Sequence, residues 1–408
     1  MIVVLKQSGA GGPSERAIES IRSQFVSTDL TQDAALVMAR AKRPTRKLAF
    51  AEDIEEDRAE AAALQAPAVR YYPNLGIALG TVTRTGLAAL RRKESVDKVV
   101  GAPPLSLIRP QRVASARLTR QITWGIEAMD IPDLWREGLN GKGVLVGHLD
   151  TGVDGSHPAL KGAIRKFAVF DDLGRQEARP GRPYDTDDHG THTAATIAGR
   201  PVNGRAVGVA PAAKLASAVV IESGNVVARV LGGLDWAVGL RMRVLSMSLG
   251  FRGYWDDFLG LTQVLRSRGV LPAFAVGNEG PGTSRSPGNY SEALSIGAIS
   301  ERRSVAGFSS SQRFRRRRDA IVPDLVAPGV GIISAMPGGG YQAMDGTSMA
   351  TPHVAGLAAL LFQAEPSATV DEVERAIFES CRRPAGMLPE RGRRGLPNGP
   401  RALARLRR

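Results

Sequence analysis

Among 408 residues there is one cysteine, Cys381. No disulfide can therefore form within the chain, and a multi-cysteine zinc site is excluded. Such cysteine usage suits a reducing compartment, although exported enzymes can also lack disulfides. Aromatic residues are scarce at 5%, and no RRM, KH or zinc-finger pattern is present, which argues against a dedicated nucleic-acid module. Nowhere does an apolar run approach the roughly 18 residues that a membrane span needs. The opening run, MIVVL, is short and stopped by Lys6, so it does not resemble the apolar region of a signal peptide. A soluble, cytoplasmic protein is expected, or a secreted one if a leader is missing or unrecognised. Acidic residues number 40 against 54 Lys and Arg, a net charge of +14. The basic residues are scattered, with short runs at Arg315 to Arg318, Arg382-Arg383, Arg393-Arg394 and Arg407-Arg408. They read as a solvated, arginine-rich surface with at most weak affinity for polyanions.

With 43% hydrophobic residues, the chain can bury one large core, alone or with a small one. Residues 1–104 hold two strand-like runs, IVVLKQ and the stretch around Gly76 to Val82. Helical segments accompany them at Glu15 to Phe25 and Asp53 to Leu64, and TGLAALRRKESVDKVV reads as a helix leading into a last strand. This predicts a small α+β domain. Residues 105–121, with Pro110 and polar neighbours, read as a linker. Through residues 122–408, apolar strands (GKGVLVGHLD, KLASAVVI, VLSMSLG, LPAFAVGN) alternate with helical stretches such as Val226 to Val238 and Asp257 to Ser267. That alternation predicts an α/β fold with a doubly wound, mostly parallel sheet flanked by helices. DEVERAIFESC is an amphipathic helix, and the basic, glycine-rich tail after it is expected to be partly loose.

Four stretches carry chemistry. DGTSMATPHVAG, Asp345 to Gly356, opens a helix with Ser348 at its start. Unpaired N–H groups and the helix dipole favour negative charge there, so Ser348 is either a nucleophile or a plain N-cap. Pro352 is expected to cost little, falling among the first donors of the helix. Asp150 ends the strand VLVGHLD, where an open parallel sheet presents ligand-facing residues; a capping role is the alternative. His189, in DDHGTHTAATIAG, precedes a glycine and opens a small-residue helix. A structural, hydrogen-bonded histidine is the alternative for it and for His192. Asn278, in AFAVGNEGPG, stands just past a strand end, where its amide could donate to a developing oxyanion.

Asp, His and Ser in this chain order, each within a long glycine-flanked motif, make the chain resemble the subtilisin-like serine proteases, the subtilases, from roughly Thr123 to Leu361. The resemblance implies an endopeptidase in which Ser348 attacks the scissile carbonyl and His189 takes and returns the proton. Asp150 would orient the imidazole, and Asn278 with the Ser348 N–H would hold the oxyanion. It also implies that Ser248, Leu249 and Gly250 pair with an extended polypeptide substrate, opposite a wall of Ala275, Val276 and Gly277. His192, Asp154 and His157 are carried over as structural.

Residues 1–104 look like a propeptide that aids folding and inhibits the enzyme in cis, with cleavage expected between Ala114 and Gln121. No cofactor is expected, nor a specific nucleic-acid or membrane partner. Two features depart from the family. Ala159 stands where many members carry a calcium-binding carboxylate, and the loop GRPVNGRAVG is poor in oxygen ligands, so no metal is expected there. Arg285 lies where the family closes its specificity pocket; it either favours acidic side chains or points to solvent. A catalytically silent peptide-binding protein is the competing reading, but no triad member is missing.

Overall fold

The structure, a computed structural model, describes residues 1–6, 15–25, 69–101, 105–222, 225–316 and 319–408. The expected helix from Asp53 to Leu64 lies outside these residues. Two compact units divide the chain, Met1–Ala102 and Pro103–Arg408.

In the smaller unit, strands Val69–Tyr72, Ile77–Gly80, Ile2–Leu5 and Val96–Val100 form an antiparallel sheet in that spatial order. Helices Glu15–Arg22 and Arg84–Arg92 accompany it. Thr83 caps the second helix, its hydroxyl accepting the Gly86 N–H at 3.0 Å. Val3, Leu5, Ile21, Phe25, Ala78, Leu90, Val96 and Val99 fill the core. The first helix stops three residues before the expected Phe25, because Phe25 leaves it to bridge Val82 and bury its ring.

The larger unit opens with two short strands, β1 (Ser106–Leu107) and β2 (Arg112–Ala116). The stretch that reads as a linker is thus built into this unit. Each apolar run that follows becomes a strand: β3 (Leu145–Asp150), β4 (Ile164–Val169), β5 (Lys214–Val219), β6 (Val244–Met247), β7 (Leu249–Arg252) and β8 (Leu271–Ala275). Beyond them come β9 (Arg285–Ser286), β10 (Leu294–Ile299), β11 (Leu325–Pro328), β12 (Ile332–Ala335) and β13 (Tyr341–Asp345). Seven strands make one parallel sheet in the order β11-β10-β8-β6-β3-β5-β4. Burial on both faces explains their unbroken apolar sequences.

Side chains alternate across the sheet. Val244, Leu271, Ala273, Leu294 and Ile296 join the main core with helices α1 (His189–Ala198) and α4 (Thr347–Ala364). The alternate positions Met247 and Phe274 meet α2 (Val226–Gly239) and α3 (Leu259–Ser267). The strand order reverses between β3 and β6, and Asp150 ends β3, at the kind of crevice where open α/β sheets place ligand groups.

The basic tail is ordered rather than loose. Helix α5 (Val370–Ser380) carries a full capping box, with Thr369 and Glu372 satisfying each other's backbone N–H groups. The chain then ends in α6 (Gly399–Leu406), whose Ala402 and Leu403 enter the main core. Arg393 and Arg394 pair with Asp319 and the buried Asp324. Burial works to raise the Asp324 pKa and prevails over the two arginines, which lower it. Sequence composition suggested solvation for these arginines; ion pairing holds them instead.

Candidate active site

Asp150, His189 and Ser348 come from the end of β3 and the starts of α1 and α4, and all are buried, at 2%, 1% and 0% exposure. Asp150 Oδ1 accepts from His189 Nδ1 at 2.7 Å and from the Thr151 N–H at 2.8 Å. The Thr193 hydroxyl lies 3.3 Å from Asp150 Oδ2. Burial alone would lower the His189 pKa. The charge and hydrogen bond of Asp150, with the charges of Asp185 and Asp187, outweigh it and raise the value. Burial would raise Asp150, but His189 and its hydrogen bonds bring it below the ordinary carboxylate range.

The approach of α1 to the turn after Asp150 depends on glycine. The Gly190 N–H donates to the Thr151 hydroxyl at 2.9 Å, and a Cβ on Gly190 would stand 2.2 Å from the Gly152 carbonyl oxygen. Three groups around this pair escape a motif-based reading. Asp185 accepts from the Thr151 hydroxyl at 2.7 Å and from the N–H and hydroxyl of Thr191 at 2.6 Å each. Thr193 bridges Asp150 and His148, whose Nε2 lies 2.9 Å from the threonine oxygen. The other ring nitrogen of His148 lies 2.9 Å from the Ser217 hydroxyl. Burial pushes the His148 pKa down to about 4, so the ring is neutral near pH 7. Strand periodicity contained the signal for His148, two residues before Asp150 and hence on the same face of β3.

The remaining motif residues brace the frame. His192 Nε2 meets the Ile332 carbonyl at 2.9 Å. His157 Nε2 meets Gly340 O at 2.8 Å, and Asp154 accepts the Gly338 N–H at 2.9 Å. In the loop after α1, the Arg200 guanidinium donates to the carbonyls of Ala198, Gly162 and Ala213. No group of three or more His, Cys, Asp or Glu side chains that could hold a metal ion occurs among the described residues.

Ser348 is the second residue of α4. Pro352 is the sixth, deeper than expected, so its missing N–H leaves the Ser348 carbonyl without its helical donor. The Ser248 hydroxyl reaches that carbonyl at 3.3 Å and offsets the loss. Asn278 is fixed from behind: its Oδ1 accepts the Thr347 N–H at 2.9 Å and the Thr347 hydroxyl at 2.8 Å. Its Nδ2 is thereby aimed away from the helix.

Ser248, Leu249 and Gly250 and the run Ala275, Val276 and Gly277 are all buried, and Arg285 joins the two runs. Its N–H donates to Val276 O at 2.9 Å and its Nη1 to Gly250 O at 3.2 Å. At 5% exposure it does not point to solvent. Glu279 takes its Nε at 2.9 Å and its Nη2 in a shorter contact. Burial works to raise the Glu279 pKa, but the Arg285 hydrogen bond and charge bring it down.

A segment of the same unit runs through this cleft. Leu107 and Ser106 pair antiparallel with Leu249 and Gly250, and the Ile108 N–H donates to Ser248 O at 3.0 Å. Leu105 lines an apolar pocket with Val230, Leu231, Met247, Phe251 and Phe258. The Ser348 hydroxyl donates to the Ile108 carbonyl at 2.7 Å, and Asn278 Nδ2 to the next carbonyl, that of Arg109, at 2.8 Å. Arg109 itself pairs with Asp187 at 3.0 Å. The chain leaves as β2, paired along β13. With its proton on the Ile108 carbonyl, Ser348 makes no hydrogen bond to His189, whose Nε2 is buried and without a hydrogen-bond partner among the described residues.

The subtilase family model matches residues 141–398. The chain is 36% identical to M-protease of Shouchella clausii over 278 residues, 67% of this chain and 68% of that protein. It is 36% identical to the major intracellular serine protease of Bacillus subtilis over 247 residues, covering 58% and 74% of the two chains. Subtilisin E of Bacillus subtilis is 34% identical over 293 residues, 70% and 72% of the two chains. The chain belongs to the subtilase family of serine endopeptidases.

Proposed function

We propose that this endopeptidase works through Ser348, His189, Asp150 and Asn278, and that residues 105–111 hold it in a self-inhibited state. The observation that carries the reading is the contact between Ser348 Oγ and the Ile108 carbonyl, made by a strand paired along β7 as an extended substrate would be. During turnover, the His189 Nε2 accepts the Ser348 proton as Oγ attacks the carbonyl, then returns it to the leaving amine. Asp150 keeps the Nδ1–H tautomer and stabilises the imidazolium. The oxyanion is held by Asn278 Nδ2 and the Ser348 N–H, one of the helix donors without an intrahelical partner.

Inhibition follows from how the segment departs from that geometry. Backbone pairing sets Ile108 as the residue before the reacting bond, yet Asn278 donates to the Arg109 carbonyl instead. The Ile108 carbonyl is therefore not polarised by Asn278, and the base is not coupled to the nucleophile. This favours slow or absent cutting at Ile108–Arg109 until the segment shifts. It also moves the focus of maturation upstream of the Ala114 to Gln121 stretch, where Ala114 to Ala116 are paired along β13. Work inside the cell is supported by the lone thiol of Cys381 and by likeness to a protein named for that setting.

The test is intact mass and fluorophosphonate labelling of wild type and Ser348→Ala over time. Slow labelling of wild type, accelerated by a cut near Ile108, with no reaction of Ser348→Ala, is the expected result. Rapid labelling of uncut wild type would remove the inhibitory role, and absence of labelling even after the segment is cut would remove the catalytic one.

A further inference from the structure

The cleft holds a buried cation aimed at one particular side chain of the bound strand. Arg285 Nη1 lies 3.0 Å from the Ser106 hydroxyl, and Ser106 is the third residue upstream of the Ile108–Arg109 bond. Its guanidinium is held in place: Nε and Nη2 are taken by Glu279 Oε1, and Nη1 also meets the Gly250 carbonyl. Glu279 has little left to offer a ligand, since its Oε2 accepts the Asn278 N–H at 3.1 Å and lies 3.4 Å from the Ser310 hydroxyl. Arg252 pairs in register with Arg285 and brings its Nε to 4.0 Å from Glu279. Glu279 is thus shared between two arginines, and the Arg285 Nη1 keeps a donor directed at Ser106.

We infer that Arg285 selects polypeptides with a short acidic side chain, aspartate first, at the third position upstream of the cut bond. A serine there accepts a hydrogen bond in which only the donor is charged. Aspartate presents a carboxylate to the same Nη1, so both partners are ionised and direct charge attraction is added to the bond. A lysine at that position meets a fixed guanidinium of like charge. Because two of its nitrogens are already bound to Glu279, Arg285 does not have to be ordered when the substrate arrives, which keeps the entropic cost of the contact small. The pairing with Glu279 also answers the sequence-level question about this arginine. It does favour acidic side chains, but at the third subsite rather than in the pocket beside the cut bond.

This inference rests on the proposed reading of the cleft and is tested so that the two can fail separately. Internally quenched peptides containing Leu-Xaa-Leu-Ile-Arg, with Xaa as Asp, Ser, Ala or Lys, are incubated with the full chain. Ratios of kcat/KM between peptides cancel the fraction of enzyme that is self-inhibited. Asp is expected to exceed Ala by roughly tenfold, with Ser between them and Lys lowest. The Asp preference shrinks as salt rises from about 50 to about 500 mM. In Arg285→Met, which keeps most of the stem, the Asp-to-Ala ratio falls towards one; its fluorophosphonate labelling verifies that the variant is folded. Equal cleavage of all four peptides at the Ile-Arg bond overturns the inference and leaves the reading of the cleft intact. Persistence of the same order in Arg285→Met also overturns it. Cleavage only at other bonds overturns the assigned register and the inference with it.

Discussion

Replacing Leu105 by alanine should open the active site without touching any catalytic group. Leu105 is 8% exposed and lines an apolar pocket with Val230, Leu231, Met247, Phe251 and Phe258. The substitution removes three carbons from that pocket, at about 0.8 kcal/mol for each buried methylene. Rounded down because the strand is not sealed within a core, the loss is about 2 kcal/mol. The backbone bonds of Ser106 and Ile108 are unchanged, so the loss falls on the closed state alone. At 1.4 kcal/mol per factor of ten, the open fraction rises about thirtyfold. Initial rates of fluorophosphonate labelling at Ser348 read that fraction directly, with intact mass verifying that the chain is uncut. Leu388→Ala, at a leucine 62% exposed, is the control and should label at the wild-type rate. If Leu105→Ala labels no faster than wild type, the segment is not what closes the cleft, and the self-inhibition argument fails.

Other outcomes follow from the same geometry. His189 must be neutral to act as base, and its pKa is raised, so kcat/KM should climb with pH through an apparent pKa above 6.5. Asp187→Asn should shift that limb to lower pH, because the Asp187 charge is among those that raise the His189 value. A limb unmoved in the Asn variant would show that this carboxylate does not act on the imidazole. The raised His189 value also stabilises the fold, fully below its unfolded pKa near 6.5, and that contribution is lost as pH rises through the folded value. Asn278→Ala should lower kcat by about 10²–10³, a magnitude established on subtilisin itself, with KM moved far less; an unchanged kcat would exclude it as an oxyanion donor. Asp324→Ala leaves Arg393 and Arg394 with Asp319 as their one carboxylate partner among the described residues, and should cost about 3 kcal/mol, seen as a lower urea midpoint at constant slope. An unchanged midpoint would mean that the ordered tail contributes little to stability.

Much of the architecture was legible because its signals are local. Unbroken apolar runs between helical stretches are what a sheet buried on both faces requires, and they became β3, β5, β6 and β8. Asp150, His189, Asn278 and Ser348 stand at element ends, where glycines and caps mark the sequence. Other features depend on neighbours far along the chain. Arg393 and Arg394 looked solvated in composition, but a buried carboxylate 69 and 70 residues away claims them. Nothing around Pro352 in sequence shows that Ser248 serves the carbonyl it frees. His148 carried a periodic signal, yet its link to Asp150 through Thr193 exists only once β3 and α1 meet.

Residues 105–116 mark the boundary most clearly. As sequence they are a short stretch with a proline and two arginines and no sustained periodicity, and a linker is the natural reading. Their order comes from outside themselves: backbone groups of Ser248 and Gly250, the apolar pocket around Leu105, and the open edge of β13. The sequence by itself determined the parallel sheet and which residues could be acid, base and nucleophile, because burial periodicity and chain-end chemistry are written over short distances. Only the tertiary structure decided that Ser348 faces the chain's own Ile108 and that Arg285 turns inward to Glu279 and Ser106, because hydrogen bonds and charges act between groups that folding, not sequence proximity, brings within reach.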